Sequence, residues 1–443
     1  MQGAVVTRLT HAVDGRPRVA VVGSGVSGLT AAWTLTRTAE VTLFEQEARL
    51  GGHADTHRVP TARGDVVPVD TAFLVHNART YPVLLRLFAE LGVATQESEM
   101  SMSVRCDGCR LEYAGARGPR GVFARIGSVR RGRYLRMLTE IPRFHRLARN
   151  YLSGKETGRT LGEFVRDAGL SEYFEAHFLT PLVAAVWSCD PTTALRYPAE
   201  YLFRFLDNHG MLSVSGSPVW RTVTGGSATY VAAIAERLAV VSPATPVRSV
   251  ERHADHVAIR DDADRVRTFD AAVVATHPDQ ALRMLAEPTP AERQILAAMP
   301  YSTSRAVLHQ DESVLPAARN AQASWNYRLP SCSAKVDRVL VSYDVTRLQR
   351  LDPAHGRFLV TLGDEDRVDP VTILDRMTYQ HPQYTPESVA AQQRLDEIGD
   401  DRVAFAGAYH GWGFHEDGAA SGLAAARRIG ARWSGRGAMS APW

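Results

Sequence analysis

The residues best suited to chemistry lie in positions 18–52, RVAVVGSGVSGLTAAWTLTRTAEVTLFEQEARLGG. Gly23, Gly25 and Gly28 form G-x-G-x-x-G directly after the apolar run Val19, Ala20, Val21 and Val22. Such a loop cradles a pyrophosphate. The first glycine permits a tight turn, the second lets backbone N–H groups approach the phosphates, and the third lets the next helix lie close to the sheet. Val26 and Ser27 open that helix, and its N-terminal dipole favours the negative charge. Glu45 follows at the end of a second apolar run, about twenty residues on, where a carboxylate accepts hydrogen bonds from ribose hydroxyls. A strand before, a helix after and an acid at this distance distinguish a dinucleotide site from a glycine-rich turn.

A second motif, Cys106-Asp107-Gly108-Cys109, could hold a metal or cycle between thiol and disulfide. A zinc site of this kind needs a second pair of ligands, and no second C-x-x-C exists. Residues 100–105 and 110–113 read as strands around an Asp-Gly turn, so a surface hairpin without metal is the expectation.

The elements that position these groups follow from local patterning. Residues 19–22 and 41–44 read as buried parallel strands, with a helix over 26–37 between them. A helix over 81–91 ends at Gly92, and 161–208 is helical and rich in aromatics. Residues 115–150 hold ten arginines and one acid, Glu140. There Leu138, Ile141, Phe144, Leu147 and Tyr151 recur at helical steps. A solvated surface helix is the first reading. The second is a contact for anionic lipid or an acidic carrier, with Arg130, Arg131, Arg133 and Arg136 facing it. Strand signals return over 240–274, and 271–275 ends in small residues. The runs 304–309, 324–328, 339–345 and 358–362 predict a second sheet. A strand at 403–406 and a small-residue helix at 418–429 close the chain.

The 443 residues allow two or three domains. A hydrophobic share of 45% with 22% charged residues marks an ordinary globular chain, and a net charge of +3 gives no reason to expect a nucleic acid partner. No apolar run is long enough to span a membrane, and residues 1–16 lack a signal-peptide pattern, so the expected location is cytoplasmic, with a peripheral position at a membrane as the alternative.

Three stretches together resemble the FAD-dependent amine oxidase and phytoene desaturase superfamily. They are the dinucleotide motif, its continuation Glu45-Gln46-Glu47-Ala48-Arg49-Leu50-Gly51-Gly52, and the block Phe405 to Gly422 with its Gly413-Phe414-His415-Glu416-Asp417-Gly418 core. The wording of that core, with Leu50-Gly51-Gly52-His53 and Asp70-Thr71-Ala72-Phe73, is similar to a bacterial NAD/FAD-binding oxidoreductase subgroup. The resemblance implies an α/β fold: a Rossmann-like FAD domain of amine-oxidase type from 17–80, 225–290 and 396–432. An α+β substrate domain from 81–224 and 291–395 is inserted in it, with tails at 1–16 and 433–443. It implies that Gly23, Gly25, Val26, Ser27, Gly28, Glu45, Gln46, Arg49, Gly51 and Gly52 hold the ADP half and diphosphate of a non-covalent FAD. Val247, Ala275 and Gly407 would touch it elsewhere, and His53, Glu416, Asp417, Gly418 and Ala419 would meet it near the ring.

Catalytic roles are expected of His53, His415, Glu416 and Tyr409, and pocket roles of Trp412, Phe414, Trp220 and Phe73. Amine oxidases carry a lysine near the flavin at the start of a substrate-domain strand. Arg305 is the best match here, and Lys155 and Lys335, the only lysines, fit that place poorly. Ala72 replaces the usual glycine of Asp-Thr-Gly-Phe. The resulting expectation is a dehydrogenase or desaturase taking hydride from a C–H of a largely apolar, acyl- or polyketide-like substrate, free or presented by a carrier or lipid. Oxygen or a quinone would reoxidise it. A redox-neutral double-bond isomerase, an amine oxidase and a non-catalytic flavoprotein partner are the alternatives.

Overall fold

Arg18–Val22 is the middle strand of a five-stranded parallel sheet in the order Val240–Ser242, Glu40–Phe44, Arg18–Val22, Ala271–Val274, Val403–Phe405. Both faces of this sheet are covered, which is why its strands read as continuous apolar runs instead of alternating. The computed structural model describes residues 15–154, 158–213, 216–333 and 336–431. Lys155, Lys335 and most of both expected tails lie outside the described residues.

The helix Val26–Leu35 is buried along its whole length. The final helix, His415–Arg428, lies across it and begins three residues earlier than its sequence pattern suggests. Two glycines permit that contact. A Cβ on Gly28 would come 1.9 Å from the Gly23 carbonyl oxygen, and one on Gly422 would come 2.1 Å from that of Ser27.

A second, seven-stranded sheet runs Ile373–Pro382, Tyr301–His309, Leu359–Leu362, Val341–Asp344, Trp325–Leu329, Met102–Cys106, Leu111–Ala114. Only Trp325–Leu329 and Met102–Cys106 pair in parallel. The helices of 132–208 cover this sheet, and Phe144, Phe164 and Phe203 meet there edge to face, with Phe174 tilted against Phe144. The fold is thus the mixed α/β architecture of the amine-oxidase type, a parallel Rossmann-like sheet beside a mixed sheet.

Two sequence expectations change. The hairpin at Cys106 is not a surface feature: its strands are built into the large sheet, and Cys106 is buried. The arginine-rich helix, Gly132–Ser153, buries Tyr134, Met137, Phe144, Ala148 and Tyr151, while Leu138, Ile141 and Leu147 are only half-buried. Arg131 turns inward and donates to the Cys109 carbonyl oxygen at 2.7 Å, and Arg136 pairs with the buried Glu140 at 3.1 Å. Arg130 and Arg133 are exposed, on a surface that also shows Phe123, Val129, Leu135 and Ile126, the last of them 92% exposed.

Candidate functional site

A cavity of about 1110 Å³ runs from the N-terminus of helix Val26–Leu35 to the inner face of the seven-stranded sheet. At its first end Gly23, Gly25, Val26, Ser27, Glu45, Gln46, Arg49 and Gly52 form the wall together with Val247, Ala275 and Gly407, Ala275 lying beside Gly23. Gly23 has φ +99°, the left-handed conformation its tight turn demands. Gly25 and Gly52 face each other, a Cβ on Gly52 reaching 3.2 Å from the Gly25 Cα, while one on Gly25 would meet nothing within 4 Å. Open space at this position is what a pyrophosphate approaching the backbone would need.

Glu45 ends its strand at the cavity wall. Its Oε2 accepts from the Ser24 N–H at 2.8 Å and the Ser24 hydroxyl at 2.6 Å, and Oε1 accepts from the Glu47 N–H at 3.0 Å. A carboxylate accepts at about four positions, so one remains for a ribose hydroxyl. The Arg49 guanidinium donates to the carbonyls of Gly52 (2.9 Å) and Ala54 (3.1 Å) and pairs with Asp55 at 3.3 Å, which shapes the Gly51-Gly52 turn. Gly28 and Gly51 do not line the cavity. Both are packing glycines, Gly51 at φ +112° with the Ala54 carbonyl oxygen 2.5 Å from its Cβ position.

The last helix divides the expected residues by face. Phe414 and His415 line the cavity. Glu416 points away and accepts from the backbone N–H groups of Val83 (2.9 Å) and Leu84 (3.0 Å), capping helix Pro82–Leu91. Asp417 accepts from the Phe414 N–H at 2.8 Å, and Gly418 and Ala419 are buried against neighbours. Tyr409 packs on Gly407 behind the wall, and Trp412 lies behind Phe414, its carbonyl oxygen accepting from Trp187 Nε1. Glu416 and Tyr409 are therefore not placed to touch a substrate, nor Trp412 to line its pocket. Arg305 is exposed and away from the cavity; Tyr301, first residue of its strand, is on the wall instead and stacks on His277 at 4.1 Å. Glu416→Ala should lower stability by about 1–3 kcal/mol through two orphaned N–H groups. It should leave the rate of flavin reduction within about twofold, because a cap that does not touch substrate adds no transition-state contact. A loss of reduction with stability intact would return Glu416 to the chemistry.

The other end of the cavity holds the groups that distance in sequence conceals. His53 lies within 5.2 Å, ring to ring, of both His381 and Tyr379. Burial and the neighbouring imidazoles push His53 well down, and burial, helped by His277 and His76 respectively, holds His381 at about 4 and His415 at about 3. All three are neutral at neutral pH, and His53 Nε2, His381 Nδ1 and His415 Nε2 have no partner. His415 stacks on Phe73 at 3.7 Å. Tyr379 donates to Asp55 at 2.8 Å and is 2.6 Å from the Thr71 hydroxyl. Beyond them the wall is mainly apolar, with Trp187, Phe205, Phe414, Trp220, Trp325 and Met377, and Ser188 and His209 set among them. Orphaned buried nitrogens, an open glycine cradle and a cavity of this size fit a bound flavin dinucleotide.

A dinucleotide cradle that opens into a chamber between two sheets is the architecture of a flavoprotein oxidoreductase. The chain belongs to the flavin containing amine oxidoreductase family, which it matches over residues 26–326 and 364–430. It is an FAD-dependent oxidoreductase of that family. Solved structures share the fold. Putrescine oxidase with bound putrescine superposes with a TM-score of 0.66 at 16% identity, covering 94% of this chain and 99% of that one. The CLA-producing fatty acid isomerase from P. acnes gives 0.67 at 14% identity over 94% and 99%. Cyclohexylamine oxidase from Brevibacterium oxydans IH-35A gives 0.64 at 16% over 94% and 98%. No curated protein matches the sequence. Among the described residues no helix is long and apolar enough to cross a membrane.

Proposed function

We propose that this chain removes hydride from a C–H bond of a largely apolar, acyl-like substrate, as a dehydrogenase or desaturase with non-covalent FAD. The character of the chamber carries the reading. Of the carboxylates on the cavity wall, Glu45 and Glu47 stand at the dinucleotide end, and Asp55 is engaged by Arg49 and Tyr379. The remaining wall is mainly aromatic and thioether surface, which gains from apolar substrate and holds no free carboxylate to serve as counter-ion to an ammonium ion.

FAD, when bound, accepts the hydride. The chain does the rest. Its aromatic walls exclude water and orient the substrate. His53, kept neutral by burial, has an unpartnered Nε2 that can accept the proton left behind. The electrons would pass on to oxygen or a quinone, since the sequence shows a single dinucleotide motif, taken by FAD, and none for a separate nicotinamide cofactor.

Anaerobic mixing tests the reading. Medium-chain acyl substrates should bleach the flavin and yield product two electrons more oxidised, while primary amines and polyamines reduce it at least about 100-fold more slowly, a transition-state difference of roughly 3 kcal/mol. Fast reduction by amines overturns the substrate class. Acyl product rearranged without flavin reduction would instead make the chain an isomerase. Acid precipitation should release the FAD into solution; yellow pellet would mean a covalent link.

The surface holding Ile126, Phe123, Arg130 and Arg133 suits an anionic lipid interface, from which an apolar substrate could be taken. Vesicles rich in anionic lipid should co-sediment the protein at low salt and release it as salt rises. Equal binding to neutral vesicles, or none at all, removes this surface from the account.

A further inference from the structure

Three of the four cysteines in the chain converge on one histidine, well away from the cavity. Cys106 closes strand Met102–Cys106, and Cys109 stands in the turn before Leu111–Ala114. Arg110 takes the left-handed conformation, φ +56°, although it is not glycine. Cys332 arrives from the other side. Its strand, Trp325–Leu329, pairs in parallel with Met102–Cys106, Leu329 beside Cys106, and the turn beyond folds over the hairpin. Gly108 leaves room for it: a Cβ there would press on Ser331 Cα at 3.0 Å.

The fourth group comes from the helical layer. His177 sits in the π-helical turn Glu175–Leu179, a distortion that often marks a functional residue. Its Nδ1 lies 3.1 Å from the Tyr173 carbonyl oxygen. Donation there puts the proton on Nδ1 and leaves the Nε2 lone pair directed at Cys109 Sγ, 3.7 Å away. Cys106 Sγ and Cys332 Sγ are 3.8 Å apart, and the four donor atoms all lie within 4.8 Å of one another. A tetrahedral site with Zn–S of about 2.3 Å and Zn–N of about 2.0 Å places its donor atoms about 3.5–3.8 Å apart. The sulfurs are far from the roughly 2.05 Å of a disulfide.

We propose that Cys106, Cys109, Cys332 and His177 bind one zinc ion as a closed, structural Cys₃His site. No position is left for water or substrate, and none of the four residues lines the cavity. The ion would clip three parts of the chain: the hairpin, the helical layer and the loop at 331–332. Binding expels the thiol protons, and three thiolates with one Zn²⁺ leave a net negative charge. Arg131, donating to the Cys109 carbonyl oxygen, stands beside that charge. The proposal is independent of the substrate reading.

The test is elemental analysis of the FAD-loaded, dialysed protein grown with zinc. About one zinc per chain is expected. Cys332→Ser and His177→Ala should each lose most of the metal while keeping FAD, and His177→Cys should retain it as a four-cysteine site. Cobalt(II) substituted into the wild-type protein should give the visible absorption of a tetrahedral thiolate site, a readout that needs no variant to fold. Wild-type protein with neither zinc nor cobalt absorption overturns the proposal, as does full zinc content in Cys332→Ser. Iron in place of zinc overturns the choice of metal.

Discussion

Gly25→Val protein should purify colourless, with FAD content below about a tenth of wild type, and yet be folded. Each tenfold loss of affinity is about 1.4 kcal/mol, and a branched side chain in the path of a pyrophosphate costs more than that. The protein itself has no objection to the substitution. Gly25 sits at φ −64° and ψ 175°, a conformation open to any residue, and its Cβ would meet nothing within 4 Å. The space is reserved for the occupant. Wild type and variant stripped of FAD should therefore melt within about 2 °C of each other, which for a chain of this size is under about 2 kcal/mol. With FAD added at 100 times its Kd, only the wild type should gain the roughly 2.7 kcal/mol of ligand stabilisation. Gly28→Val is the contrast. Its Cβ would fall 1.9 Å from the Gly23 carbonyl oxygen, so the stripped protein should already be destabilised. A Gly25→Val protein with normal FAD content would show that the diphosphate lies elsewhere.

The difference between those two glycines also marks what the sequence could show. The strand, turn and helix of 18–35 are local, and one apolar run with three glycines specifies them. The side-chain face of Glu416 is not local information. Adjacent helical residues point about 100° apart, so His415 reaches the cavity while Glu416 reaches Val83 and Leu84. The motif located the helix start but not the direction of each side chain. The far end of the cavity depends on sheet register: Tyr379 and His381 share a strand with no motif, and only the pairing of Tyr301–His309 with Ile373–Pro382 brings them to His53. The C-x-x-C was half visible. Its completion by Cys332 and His177 depends on one parallel strand pair and a π-helical turn, and neither leaves a periodic trace.

Acid should unfold this protein well above the pH at which its exposed carboxylates titrate. Nine of its fifteen histidines are held down by burial, namely His53, His76, His145, His209, His277, His309, His381, His410 and His415, and several of them lie near 4. The unfolded chain binds protons at these residues below about pH 6.5, and the native state does not. Stability is then fully present above pH 6.5 and falls as pH drops toward 4. Each histidine with a native value near 4 costs on the order of 2 kcal/mol at pH 5. Three buried acids oppose this most, Glu416 pushed up to about 8, Asp417 to about 7 and Asp70 to about 6, and the half-buried Glu175 and Asp364 are raised too, so their native forms take up protons as pH falls. Nine groups against three of similar size leaves the histidines dominant. His57, raised by its hydrogen bond to Asp55, adds one more group on the acids' side without changing the sign. The thermal midpoint should fall steeply between pH 6.5 and 4.5, with and without FAD. His76 provides the internal control. It is fully buried, neither ring nitrogen has a partner, and Phe73, Tyr81 and Phe88 surround it. His76→Phe removes one such group without orphaning a hydrogen bond, so the variant should lose about one proton's worth of the slope and gain relative to wild type as pH falls. A midpoint that holds or rises from pH 7 to 5, or a His76→Phe slope equal to wild type, would mean these imidazoles are protonated in the native state and that the chamber around His53 is charged.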